Sequence, residues 1–99
     1  MSSVEVEGVL FQHPSVANVG VVAKPDEKWG EIPAAFVIVK PGLTLTAQEL
    51  GQFCRSRLAG YKVPKYYEFV EQLPRTATGK LQKFRLREQF WADKDKRVQ

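Results

Sequence analysis

Two valine-rich apolar segments joined by one short polar segment constrain this chain more than any other feature. Residues 17–23 are rich in valine, and residues 32–39 form a continuous apolar run rich in isoleucine and valine. β-Branched side chains favour strands because they pack well on a pleated surface, and an uninterrupted apolar run is typical of a buried strand. The polar residues 24–30 between the two segments therefore predict a hairpin with a longer loop.

A first helix is predicted near the start of the chain. Ser2 followed by Glu5 has the form of a capping box, in which two side chains satisfy backbone N–H groups at the beginning of a helix. We therefore expect a helix from about Ser3. It should stop at His13, because Pro14 disfavours the helical conformation in the residue before it.

A second helix and a third strand follow the hairpin. Thr46 and Glu49 repeat the capping-box pattern ahead of apolar residues at helical spacing, and Gly60 is expected to end this helix. Residues 66–70 predict a strand, and a strand, a helix and a strand in succession nearly always form a right-handed parallel unit. The sheet should therefore be mixed, with one antiparallel pair and one parallel pair.

A last amphipathic helix is predicted from residue 83 to about residue 93, followed by a frayed tail. Together these elements predict an α+β fold, in which a small mixed, mainly three-stranded sheet contains a β-hairpin and is packed by about three helices. With 99 residues, of which 43% are hydrophobic, the chain is long enough for one compact domain and too short for two.

Cysteine content and apolar run length limit the class of protein. Cys54 is the only cysteine, which excludes a disulfide framework and favours a reducing compartment. The longest apolar run, residues 32–39, is far shorter than the roughly 18 residues that a membrane-spanning helix needs. We therefore expect a cytoplasmic protein without a membrane span. His13 is the only histidine, so the sequence predicts neither a metal site nor a Cys–His dyad.

The segment from Arg75 to Arg87 is strongly basic. It contains five Lys or Arg residues and no Asp or Glu, in a chain whose net charge is +4. Such a segment favours contact with anions, and one interpretation is a stand-alone module that binds nucleic acid or another polyanion. Sites for single-stranded nucleic acid interleave several aromatic side chains for base stacking, whereas this segment offers chiefly Phe84. A nucleic-acid partner is therefore not favoured.

Lys80 follows Gly79 on a predicted loop of this basic segment. The surrounding sequence differs from a phosphate-binding P-loop, which needs glycine at the position of Pro74 and serine or threonine at that of Leu81. Glycine nevertheless lets the backbone turn sharply, and a lysine on a loop can bring a compact positive charge to an anionic centre. The alternative is that Lys80 is a solvated surface residue.

A series of short motifs extends over almost the whole chain. The motifs are Leu10-x-x-His13-Pro14-x-Val16, Pro25-Asp26, Gly30-Glu31, Ala35-Phe36-Val37, Tyr61-Lys62-x-Pro64, Phe69-Val70 and Leu73-Pro74-x-Thr76-x-Thr78-Gly79-Lys80. In order and spacing they resemble the C-terminal domain of the adenylate-forming enzymes, which comprise acyl-CoA synthetases, adenylation domains of peptide synthetases and beetle luciferases. The continuation Gln82-Lys83 is similar to fatty-acyl and medium-chain acyl-CoA ligases.

The resemblance implies a division of labour between two domains. In this superfamily a larger N-terminal domain binds ATP, Mg²⁺ and the carboxylic acid, and the small C-terminal domain closes over it in two orientations. One orientation forms the acyl-adenylate, and the other admits CoA for thioester formation. Residues 1–99 are accordingly expected to be the lid domain of an acyl-CoA synthetase, with the N-terminal domain, the hinge residue and the thioester-site loop outside this chain. Lids of peptide-synthetase and luciferase-like enzymes are alternatives.

The resemblance also implies roles for individual residues. Lys80 would be the catalytic lysine of acyl-adenylate formation, on a loop shaped by Thr78 and Gly79. Arg55 and Lys62 would contact CoA, with Arg55 facing its 3′-phosphate, and a solvated surface charge is the alternative for each. Without the larger domain, the chain is expected to fold but to make no acyl-adenylate.

Two further expectations concern residues around these sites. Trp29, Gly30-Glu31 and the tyrosines are expected to shape the hairpin and the core. Pro74-x₄-Gly79-Lys80 is similar to the pattern that lysine acetyltransferases recognise in some acyl-CoA synthetases. Because acetylation removes the charge of a lysine, modification of Lys80 should switch adenylation off.

Overall fold

Three helices and three strands form the described part of the chain. The computed structural model describes residues 3–98, with side chains described as far as residue 90. The elements in chain order are α1 (Ser3–Phe11), β1 (Val16–Asp26), β2 (Gly30–Val39), α2 (Ala47–Arg55), a short 3₁₀ helix (Gly60–Lys62), β3 (Tyr66–Phe69) and α3 (Lys83–Val98). Among the described residues, no helix combines the length and the apolar composition needed to cross a bilayer.

The sheet has the strand order β1-β2-β3 and is mixed, as the sequence predicts. β1 and β2 are antiparallel, with Val21 opposite Ala35, whereas β2 and β3 are parallel, with Phe36 opposite Glu68. The connection from β2 to β3 runs through α2, so the two parallel strands form the predicted strand–helix–strand unit. The α+β fold with a three-stranded mixed sheet is therefore confirmed.

The hairpin between β1 and β2 is tighter than predicted. β1 continues through the polar residues as far as Asp26, which pairs with Gly30, so the loop contains only residues 27–29. The Asp26 carboxylate accepts hydrogen bonds from the backbone N–H groups of Lys28 (3.1 Å) and Trp29 (2.8 Å), and Gly30 adopts a positive φ of 81°. The Asp26 carboxylate thus satisfies two backbone N–H groups of the turn, which allows the loop to be short.

The central strand β2 separates two hydrophobic clusters because its side chains alternate between the faces of the sheet. On one face, α1 and α2 cover a cluster that includes Ala35 and Val37. On the other face, α3 and residues 73–81 cover a cluster that includes Ala34 and Phe36. Both faces of β2 are buried, which explains its continuous apolar sequence.

The ends of the helices differ from the sequence-based boundaries. Thr46 caps α2 as predicted, with its Oγ1 accepting from the Glu49 N–H at 3.1 Å. However, α2 ends at Arg55, and Gly60 begins the 3₁₀ helix without a positive φ, so the expectation that Gly60 ends α2 is wrong. The N–H groups of residues 57 and 58 both turn back to the carbonyl of Cys54, which closes the helix earlier.

The first and last helices also have boundaries other than those predicted. α1 ends at Phe11, two residues before His13, because the His13 N–H bonds to the Leu10 carbonyl in a tighter turn. Ser2, the predicted cap of α1, lies outside the described residues. α3 runs to Val98 and therefore continues through the segment expected to fray.

Candidate functional site

A tight backbone hairpin carries Lys80. Arg75 and Leu81 form an antiparallel bridge at its base. Above this bridge the Thr76 N–H donates to the Lys80 carbonyl (2.9 Å), and the Gly79 N–H donates to the Thr76 carbonyl (2.9 Å). Gly79 has a φ of 88°, a left-handed conformation that L side chains rarely adopt. The turn therefore consists of residues 77–79, and Lys80 is the first residue after it.

Hydrogen bonds from side chains also stabilise the backbone of this hairpin. Thr76 Oγ1 accepts from the Lys80 N–H at 3.1 Å and lies 2.9 Å from Thr78 Oγ1. Arg75 Nη1 donates to the Gly79 carbonyl at 2.8 Å. The Lys80 side chain is exposed, and its ammonium makes no hydrogen bond or ion pair with any residue that the structure describes. The arrangement presents one available cation on a well-defined backbone.

Leu81 anchors the hairpin to the sheet. Its side chain packs against the cluster beneath α3 and lies over β1 at Gly20. A Cβ atom at Gly20 would lie 3.0 Å from Leu81 Cδ2 and 3.3 Å from Leu86 Cδ1. Gly20 therefore makes room for the residue that directly follows Lys80.

Arg55 and Lys62 belong to elements on the other face of the sheet. Arg55 is exposed in the last turn of α2, and its Nη2 would lie 3.7 Å from a Cβ atom at Gly51. Lys62 Nζ makes an ion pair with both carboxylate oxygens of Glu5, at 2.9 and 3.1 Å. The hydrogen bond to Glu5 raises the pKa of the Lys62 ammonium. The fold thus separates these two residues from Lys80 rather than gathering all three at one site.

Beside Arg55 lie two buried groups that titrate. The Tyr67 hydroxyl is buried and has no hydrogen-bond partner among the described residues. Burial, followed by the neighbouring Cys54 thiol, raises the pKa of Tyr67, whereas the charge of Arg55 opposes this shift. Burial also raises the pKa of Cys54, so its thiol stays protonated and behaves as an apolar core group.

A cavity of about 410 Å³ opens beside the β1–β2 hairpin. Trp29 and Tyr61 line it and are 58% and 72% exposed. Trp29 lies in the hairpin loop as expected, whereas Tyr61 belongs to neither the hairpin nor the core, so the expectation for Tyr61 is wrong. Lys65 Nζ lies 4.1 Å from the centre of the Trp29 ring. The cavity was not predicted from the sequence, although the position of Trp29 in a polar turn indicates exposure.

The basic segment does not present all of its cations to solvent. Lys83 pairs with the Glu7 carboxylate at 2.7 Å, and Arg75 is bonded to the carbonyl of its own hairpin. Arg85 Nε donates to the side chain of Gln82 at 2.8 Å. Of the five positive charges, only that of Lys83 is therefore paired with a carboxylate, whereas Arg75 and Arg85 bond to neutral groups and stay exposed.

The chain is similar in sequence to one domain family and to enzymes named as CoA ligases or acyl-activating enzymes. Residues 5–80 match the family described as AMP-binding enzyme C-terminal domain. Over 90 residues the chain is 54% identical to a 2-methylpropanoate–CoA ligase of Humulus lupulus and 53% identical to a protein named probable acyl-activating enzyme 5, peroxisomal, of Arabidopsis thaliana. Each alignment covers 89% of this chain and 16% of the relative, so the chain spans a small part of the length of these relatives.

Solved structures show the same likeness in three dimensions. An acyl-CoA synthetase of Brucella canis superposes with a TM-score of 0.89 at 36% identity, covering 95% of this chain and 18% of that one. The o-succinylbenzoate CoA synthetase of Bacillus subtilis, in complex with its acyl-adenylate intermediate, gives a TM-score of 0.82 at 40% identity. That match covers 87% of this chain and 17% of the synthetase.

Proposed function

The chain belongs to the AMP-binding enzyme C-terminal domain family, and from this premise we propose that it is the mobile C-terminal domain of an ATP-dependent acyl-CoA ligase, with Lys80 as its catalytic lysine. The observation that carries the proposal is the Lys80 ammonium, which has no partner among the described residues and stands on a hairpin held by hydrogen bonds on both strands. A cation held in this way suits an anionic reaction centre.

The chemistry of adenylation explains why a lysine is needed. The carboxylate oxygen of the acid forms a bond to the α-phosphorus of ATP while the bond from that phosphorus to the pyrophosphate oxygen breaks. Two anions must approach each other, and negative charge accumulates on the phosphoryl oxygens. A preorganised ammonium offsets this repulsion in a closed site, a contribution worth about 3 to 4 kcal/mol where single donors of this kind have been removed.

The other requirements of the reaction call for a larger partner domain. The described residues contain no cluster of His, Cys, Asp or Glu side chains that could hold a metal ion. The chain also spans only 16% of the length of its plant relatives. We therefore assign ATP, Mg²⁺ and the carboxylic acid mainly to an N-terminal domain of the same protein, over which residues 1–99 close as a lid.

Part of the CoA site is assigned to two places outside the Lys80 hairpin, the cavity beside the β1–β2 hairpin and the last turn of α2. The exposed rings of Trp29 and Tyr61 suit stacking with the adenine ring of CoA, and Lys65 beside them supplies a cation for the phosphates of CoA. Arg55, whose planar fork can donate two hydrogen bonds at once, remains our candidate for the 3′-phosphate. Lys62 would have to exchange its ion pair with Glu5 before it could contact CoA.

The test of this proposal separates the two half-reactions. In the full-length ligase that contains this domain, Lys80→Ala should lower ATP–pyrophosphate exchange about 100-fold or more. Thioester formation from presynthesised acyl-adenylate should be unchanged. Lys40→Ala, which removes another exposed lysine, is the matched control. Equal losses in both half-reactions would identify Lys80 as a residue needed for stability and would contradict the proposal.

The proposed function also includes regulation through Lys80 and a cellular location for the protein. We assign Lys80 as an acetylation site, because the exposed hairpin is accessible to a modifying enzyme and acetylation would remove the charge that adenylation uses. Mass spectrometry after treatment with a lysine acetyltransferase and acetyl-CoA tests this, and an unmodified Lys80 would contradict it. The proposed location is the cytoplasm, and localisation of the full-length protein would test it, since one plant relative is named as peroxisomal.

A further inference from the structure

We propose that Arg75 is a positioning residue that fixes the direction of the Lys80 side chain, an inference that rests on the proposed function of Lys80. The peptide group between Gly79 and Lys80 is the key element. Its carbonyl oxygen accepts from Arg75 Nη1 at 2.8 Å, and its N–H donates to Thr76 Oγ1 at 3.1 Å. Side chains therefore hold both ends of the one peptide plane that immediately precedes the Lys80 Cα atom.

The orientation of this plane depends on polar contacts because packing does not restrain it. Residues 77–80 are exposed, and the side chains that pack on the cluster beneath α3 are those of Leu73 before the hairpin and Leu81 after it. Gly79 is the residue with the widest choice of backbone conformations, and rotation about it would swing the Lys80 side chain away. A hydrogen bond from a charged donor is stronger than a neutral one, so the guanidinium of Arg75 is well suited to hold the Gly79 carbonyl.

Arg75 acts across the hairpin rather than at the reaction centre. Its guanidinium is directed to a backbone carbonyl of its own loop, and its backbone pairs with Leu81 on the far side of Lys80. The residues before and after Lys80 are thus both tied to Arg75. Because small displacements of a catalytic group can cost up to about 100-fold in rate, loss of this tie should lower adenylation without weakening substrate binding.

The test compares three substitutions in the full-length ligase. Arg75→Met removes every side-chain donor while keeping a long side chain, and Arg75→Lys keeps a cationic donor. Arg85→Met is the control, because it removes a guanidinium from the same basic segment that is bonded to Gln82 and not to the Gly79 carbonyl. We expect Arg75→Met to lower the kcat of ATP–pyrophosphate exchange about 10- to 100-fold, with the KM values for ATP and acid unchanged. Arg75→Lys should recover most of this loss, and Arg85→Met should have no effect.

Amide hydrogen exchange gives a readout that does not depend on activity. In the same proteins the Lys80 N–H should exchange faster in Arg75→Met than in the unsubstituted enzyme, while the amides of β2 should stay unchanged. A raised KM for ATP together with an unaltered rate of amide hydrogen exchange at the Lys80 N–H would mean that Arg75 binds substrate directly and would overturn the inference. So would normal kcat in Arg75→Met. If Lys80→Ala retains full adenylation, the proposed function fails, whereas the exchange result still decides whether Arg75 orders the hairpin.

Discussion

The ammonium of Lys83 lies 2.7 Å from Glu7 Oε2, and this oxygen also accepts the Val21 N–H at 2.7 Å. Val21 belongs to the edge strand β1, and its N–H faces away from the partner strand. One carboxylate therefore joins α1, the open edge of the sheet and the first residue of α3. Because α3 follows the Lys80 hairpin directly, this contact also fixes where the hairpin leaves the sheet.

Substitution of Glu7 should reveal how much this joint contributes to stability. Glu7→Ala leaves the Val21 N–H without its acceptor and the Lys83 ammonium with only the Ser3 hydroxyl at 2.9 Å, and we expect the free energy of unfolding to fall by about 1 to 3 kcal/mol. Glu7→Gln keeps an acceptor oxygen and should cost less. Urea denaturation of the 99-residue chain measures both, with Glu71→Ala as an exposed control. Equal stability of Glu7→Ala and the control would contradict this role.

Gly20→Ala should disturb Leu81 and, through it, Lys80. The added methyl group would lie 3.0 Å from Leu81 Cδ2, and we expect a loss of about 1 to 3 kcal/mol in stability, as for other overpacked sites. Gly8→Ala is the matched control, since nothing lies within 4 Å of its Cβ position in α1, and it should stabilise the chain by about 0.5 to 1 kcal/mol. Thermal unfolding compares the two, and a stabilised Gly20→Ala variant would show that Leu81 moves without cost.

Stability should decline between pH 10 and pH 12 through Tyr66. Its hydroxyl donates to Glu68 Oε1 at 2.6 Å, and this bond, with burial second, raises the pKa of Tyr66 to about 12. The unfolded chain releases this proton near pH 10, so the stabilisation is complete below that pH and is lost as the pH rises through about 12. Tyrosinate absorbance should show the late titration. Glu68→Gln should bring it to lower pH, and an unchanged titration would contradict the assignment.

Tyr67→Phe should leave stability unchanged or raise it by about 1 kcal/mol, because the hydroxyl that it removes is buried without a hydrogen-bond partner among the described residues. Tyr66→Phe makes the same chemical change at a hydroxyl that has a partner, and it should destabilise the chain by about 1 kcal/mol. Chemical denaturation at pH 7 compares them. The prediction fails if Tyr67→Phe is the more damaging of the two.

Two substitutions should distinguish the parts of the proposed CoA site. In the full-length ligase, Trp29→Ala should raise the KM for CoA and for dephospho-CoA by similar factors, because both carry the adenine. Arg55→Ala should raise the KM for CoA more than that for dephospho-CoA, which lacks the 3′-phosphate. Adenylation should be unaffected in both variants. Phe11→Ala is the control, as Phe11 is 55% exposed on α1 and does not line the cavity.

Local patterns in the sequence were sufficient to predict most of the secondary structure. The apolar run of β2 and the cap formed by Thr46 and Glu49 depend on neighbours close in the chain, so they can be recognised without the fold. The mixed sheet followed from the order of strand, helix and strand. A loop carrying Lys80 was predicted, and the resemblance to a family motif suggested its role; that the loop is a hairpin, with Gly79 in the left-handed conformation, was not predicted.

Only the tertiary structure decided which residues meet. The ion pair between Lys62 and Glu5 joins positions 57 residues apart, and the cavity joins Trp29 to Tyr61. Such pairs depend on the register of the sheet and on which face each helix covers, and no local pattern encodes either. The same layering places α2 and the Lys80 hairpin on opposite faces. The resemblance in the sequence therefore suggested candidate groups for the two half-reactions of the proposed ligase, and the packing of both faces of β2 determined that α2 and the Lys80 hairpin stand apart.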